Sequence, residues 1–95
     1  MLRHFPTLLA RWRGAHATMA ELTRSLRTLR IVLRREEQSG HLELACVNPL
    51  FIHGPVEWSC ADITVALHGD DDFVVTDAAA DVRVISGSIE VKEYA

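Results

Sequence analysis

At 95 residues, 48% of them hydrophobic and 24% charged, the chain has the composition of one small globular domain and has room for a single core. No apolar run approaches the roughly 18–20 residues of a membrane-spanning helix. Arg3, Pro6, Arg11 and Arg13 interrupt the start where a secretory signal needs an unbroken apolar block, so a soluble, cytoplasmic protein is the expectation. The net charge of −3 hides an asymmetry: residues 1–40 hold eight Arg against three Glu, and residues 41–95 hold Arg83 and Lys92 against ten acids. Opposite halves attract, so the basic part is expected to dock on the acidic part without calling for nucleic acid or a membrane as partner.

From Phe5 onward, apolar residues recur at steps of three and four: Phe5, Leu8, Trp12, Ala15, Met19, Leu22, Leu26, Leu29 and Leu33. That spacing is the seam of a coiled-coil-like helix. Pro6 suits a first helical turn and Gly40 a left-handed cap, which predicts one helix filling most of residues 1–40. Gly14 is its weak point, costing about 1 kcal/mol against alanine. Thr18 and Glu21 also fit a capping box for a second helix. The seam keeps its phase through Gly14, which favours the continuous helix.

After Gly40 the period becomes two. Leu42, Leu44, Cys46, Leu50 and Ile52 share one parity, with a bend or an edge position predicted at Asn48-Pro49. Gly54-Pro55 reads as a turn. The next run, Val56 to Leu67, changes parity near Ala61-Asp62, which suggests a bulge. The loop 68–72 places Leu67 opposite Phe73 and Val65 opposite Val75, and a loop Asp77–Ala80 then sets Val75 against Val82 and Phe73 against Val84. Finally, a two-residue hairpin loop at Ser86-Gly87 pairs Val84 with Ile89 and Val82 with Val91, with Arg83 facing Glu90 and Asp81 facing Lys92.

The predicted architecture is a single α+β domain: a long N-terminal helix (1–40), then a four- to five-stranded antiparallel meander (41–95) packed on the helix's C-terminal half. Such a helix would span about 50 Å over strands of about 20–27 Å, leaving its first half uncovered. The residues Phe5, Leu8, Trp12, Ala15, Met19 and Leu22 are therefore the expected interface with a second copy of the chain.

No convincing catalytic set emerges. Asp70, Asp71 and Asp72, with Asp62 and Asp77, lack the spacing and glycine of a calcium loop and read as a solvated turn. His53, His68, Cys46 and Cys60 have no zinc-ligand spacing, and the two cysteines read as reduced thiols. No metal or cofactor is expected. Trp58, with Cys60 and His53 as polar groups, could line a small-molecule pocket between helix and sheet, although core filler is the simpler role. Arg13, Arg24, Arg27, Arg34 and Arg35 could meet an anionic surface, but no aromatic residues interleave them. The leading expectation is a non-catalytic homo-oligomeric interaction module. A small-molecule binder or small enzyme is the first alternative, and a nucleic-acid or membrane-surface binder the second.

Overall fold

The computed structural model describes residues 5–23 and 27–94, without the side chains of Phe5, Glu21, Leu22 and Thr23. Its one α-helix there is short, α1 (Phe5–Arg11). Seven strands follow: β1 (His16–Thr23), β2 (Thr28–Arg34), β3 (His41–His53), β4 (Glu57–Trp58), β5 (Thr64–His68), β6 (Asp72–Asp77) and β7 (Val82–Tyr94). They form one antiparallel sheet in the order β4-β1-β2-β3-β7-β6-β5. The expected α+β architecture, with its long coiled-coil-like helix and a boundary at residue 40, is therefore corrected to a mainly antiparallel β fold.

The helix fails first at Gly14, which stands at φ +89°, outside helical space. Beyond it, β1 and β2 pair as a hairpin, with Ala17 opposite Leu33, Met19 opposite Ile31 and Leu22 opposite Leu29. Leu29, Ile31 and Leu33 alternate strictly and are almost wholly buried. A heptad count passes over Ile31, which is off the seam, and period two is the pattern that holds here. The bulge between Met19 and Glu21 moves the apolar parity of β1 by one, and this slip is what imitated a three-four spacing. The hairpin also solves the overhang. It buries Ala17, Ile31 and Leu33 against Leu42 and Leu44 of the same chain, and each large side chain so buried contributes about 1.5–3 kcal/mol. Leu26 and Arg24 lie outside the described residues. The cap expected at Gly40 gives way to a loop, 35–40, joining β2 to β3.

Leu42, Leu44 and Cys46 face the core, following the period-two reading. Beyond Cys46 the alternation is interrupted: Asn48 takes a left-handed conformation (φ +57°), the register with β7 shifts between Pro49 and Phe51, and Ile52, although opposite the buried Val84, is exposed at the edge of the sheet. The expected single strand from Val56 to Leu67 is two short strands on opposite edges of the sheet, β4 and β5. The crossing segment between them bonds back to the chain after α1, with Gly14 N–H donating to Ala61 O (2.7 Å) and Ala61 N–H to Ala15 O (2.9 Å).

In the β5–β6 pair Leu67 stands opposite Phe73 and Val65 opposite Val75, the register read from the sequence. The β6–β7 turn comes one residue later than expected, at 78–81, with Asp81 left-handed (φ +58°), so Val75 meets Val84 and the apolar face is kept. Ser86-Gly87 is no turn. Residues 82–94 run as one strand, whose first part pairs with β6 and which pairs with β3 from Arg83 to Tyr94.

The sheet curls far enough to bring edge strand β4 within reach of β6. Trp58 on edge strand β4 donates from Nε1 to Oδ2 of Asp77 on β6 (2.8 Å), and the Asp62 N–H donates to the same oxygen (2.8 Å). Leu9 and Trp12 plug one end of the resulting core. Arg35 Nη2 donates to the carbonyls of Arg11 (3.1 Å) and Arg13 (2.5 Å) at the end of α1, where free carbonyls attract a cation.

Candidate functional site

The side chains expected to form an exposed helical seam are largely used inside the protein. Trp12 and Ala15 are buried, Leu8 and Met19 are half-buried against the core, and the side chains of Phe5 and Leu22 lie outside the described part. Trp12 Nε1 donates to Glu93 Oε2 (2.6 Å), and Arg11 pairs with Oε1 of the same carboxylate (2.7 Å). Arg13 pairs with Asp62 at 3.1 Å. The basic N-terminal segment thus meets acids of the remainder, and of the arginines expected to share one polar helix face Arg13 is in a salt bridge, Arg35 at the end of α1, Arg34 on β2 and Arg27 in the turn before β2.

Trp58, Cys60 and His53 do not converge. Trp58 is buried in the core on its bond to Asp77. Cys60 is exposed and left-handed (φ +55°). His53 is exposed at the end of β3, with Nε2 3.0 Å from Asp81 Oδ2. Cys60 does line an open groove of about 650 Å³ with Gly14, His16, Arg34, Glu36 and Ser59. There His16 Nδ1 lies 3.4 Å from Ser59 Oγ and His16 Nε2 lies 3.4 Å from Glu57 Oε1. The order acid, imidazole, hydroxyl resembles a nucleophile relay. However, both contacts are long, all three groups are exposed, and the arrangement follows from β1–β4 pairing, which sets Thr18 opposite Glu57 and Ala17 opposite Trp58. An activated hydroxyl needs a base held in firm hydrogen-bond contact, and the groove does not supply one. Among the described residues no three His, Cys, Asp or Glu side chains gather to hold a metal ion, and no helix is long and apolar enough to cross a membrane.

A different feature stands out on β3. Its first half, His41–Val47, lies between β2 and β7. The β2 ladder stops at Val47, with one further bond from Asn48 N–H to Arg27 O (2.6 Å). From Pro49 to His53 the strand has β7 on one side and, among the described residues, no strand on the other. This open end exposes Leu50, Phe51 and Ile52 at 57, 47 and 39%. Residues 44–56 contain no Asp, Glu, Lys or Arg, so the edge lacks the charges that usually guard one. On the outer face Phe51 continues a cross-strand row through Ile85, Val74 and Ala66.

The other free edges are shorter or partly covered, although Leu67 near the end of β5 is 61% exposed beside the acidic turn Asp70–Asp72. β4 has two residues, and the start of β5 lies beside α1, where Pro6, Leu9 and Arg13 share a small cavity with Ile63, Thr64 and Val65. The exposure of Leu50, Phe51 and Ile52 is not foreseen by the period-two pattern, because Ile52 does stand opposite buried Val84 and the strand simply runs past the end of the β2 ladder at Val47. Pro49 and the uncharged run around it were the available signals.

The chain matches no protein-family model, and no curated protein or solved structure is significantly similar to it.

Proposed function

We propose that the protein is a non-catalytic assembly module that self-associates through the open end of β3. One observation carries the reading: four consecutive exposed residues, Leu50–His53, at an open stretch of strand edge, three of them large and apolar, without a guarding charge. An exposed edge of this kind templates a further strand, with main-chain hydrogen bonds supplying affinity and the side chains selectivity. Self-assembly thus involves the sheet edge and not the N-terminal segment, where Trp12 and Ala15 are buried within the chain. A reducing, cytoplasmic setting belongs to the same reading and is supported by two free cysteines, one of them buried.

Sedimentation velocity over about 10–300 μM covers the range in which an interface smaller than about 800 Å² per partner associates. The expected result is a concentration-dependent rise in mass, lost in Phe51→Lys and kept in Leu67→Lys on the other long edge. A monomer at every concentration, unchanged by Phe51→Lys, refutes the proposal.

A further inference from the structure

Resting on that reading, we infer that two copies join β3 to β3, antiparallel, about a two-fold axis passing beside Phe51. This makes one continuous sheet across a closed dimer.

The first ground is the order of side chains along the edge. An isologous antiparallel pairing centred on Phe51 sets Phe51 against itself, Leu50 against Ile52 of the other copy, and Pro49 against His53. Apolar residues therefore meet apolar residues through the middle, and proline, which lacks an N–H, falls at the end of the ladder where it does least harm. A two-fold axis also sets this edge against its own copy, so an edge bearing charges of one sign would repel itself. The thirteen-residue stretch 44–56 carries no formal charge to do so.

The second ground is the length of the free edge. It is bounded on one side by the Asn48–Arg27 bond and on the other by Gly54, where φ is +145° and an added Cβ would stand 3.0 Å from Val82 Cγ2. That glycine conformation turns the chain away after His53. Five residues remain, about 17 Å of strand, enough for one short self-complementary ladder.

The third ground is the competing edge. Head-to-tail pairing of β3 with β5 of the next copy would not close and would grow into a filament. The first part of β5 is flanked by α1, whereas nothing among the described residues flanks β3 from Pro49 to His53. In the closed arrangement the outer rows Ala66–Val74–Ile85–Phe51 of the two copies meet at Phe51. They form an apolar stripe eight strands wide, about 34 Å across at ordinary strand spacing.

The test uses the wild-type chain at a concentration where sedimentation shows association, mixing isotope-labelled with unlabelled protein and recording only contacts between copies. Contacts from Leu50 to Ile52 and from Phe51 to Phe51 are expected, together with a mass that stops at two copies and a dissociation constant raised about tenfold or more by Phe51→Lys. As a second measurement, Phe51→Cys in a Cys60→Ser background should form a disulfide-linked dimer on mild oxidation, because directly opposed residues of a non-hydrogen-bonded antiparallel pair bring their Cβ atoms to about 4.5 Å, the upper end of the range a disulfide spans. Contacts between Leu67 and the β3 edge, or a mass that keeps growing, overturn the two-fold arrangement and leave the assembly reading in place. Absence of any association at all overturns both.

Discussion

The two halves of β3 share one backbone segment and one neighbour, β7, yet they differ in almost every other respect. Along His41–Val47 the strand is flanked on both sides, and Leu42, Leu44 and Cys46 have no exposed surface. Along Pro49–His53 it is flanked, among the described residues, on one side only, and residues just as apolar are left 39–57% exposed. Hydrophobicity does not separate the halves. The number of neighbouring strands among the described residues does, and the change occurs at Asn48, where the left-handed backbone and the following register shift interrupt the alternation just as the β2 ladder ends. One half of the strand supplies stability, and the other is available for a partner.

Substitutions sharpen this contrast. Leu44→Ala, in the enclosed half, should destabilise the fold by about 2–5 kcal/mol, the cost of a cavity in a packed core, read from denaturant unfolding. Asp77→Ala should cost about 2–3 kcal/mol, since it leaves the buried Trp58 N–H without an acceptor and releases the crossing segment at Asp62. Asp77→Asn, which keeps an acceptor oxygen, should cost clearly less.

Burial pushes the Cys46 thiol from its ordinary 9.0 up to about 12. The folded chain therefore keeps its proton where the unfolded chain has lost it. The contribution to stability is full below pH 9 and declines as pH rises from 9 toward 12, initially by about 1 kcal/mol per pH unit. In the native protein a thiol reagent near neutral pH should label Cys60 and leave Cys46 until unfolding. The smallest effect belongs to the open half: Ile52→Ala should change the monomer's stability by less than about 1 kcal/mol, while weakening association. Equal losses for Leu44→Ala and Ile52→Ala would remove the distinction between the halves.

What could be read from the sequence followed local alternation. The inward face of β3 through Cys46, the β5–β6 register and the interruption at Asn48-Pro49 were legible because each depends on a few neighbouring residues. The N-terminal third was not, because Leu22, Leu29 and Leu33 satisfy a helical seam and a bulged hairpin alike, and only the partner strand β3 decides between them. The Ser86-Gly87 hairpin failed for a related reason. A long amphipathic strand imagined folded at its middle always pairs apolar with apolar, so Val82–Val91 and Val84–Ile89 matched without being neighbours. Of the candidate sites, the exposed end of β3 was hidden because exposure depends on where β2 stops, a property of another strand. Burial of Trp12 and Trp58 likewise came from partners distant in sequence, Glu93 and Asp77.

Residue-resolved amide hydrogen exchange, followed as protein concentration is raised, tests most directly whether the open half of β3 is the assembly surface. The account predicts that amides within Leu50–His53 gain protection as concentration increases, while those of the β5 edge and of the enclosed half of β3 keep their rates. Exchange in Leu50–His53 that is independent of concentration, or protection that builds at β5 instead, would contradict it.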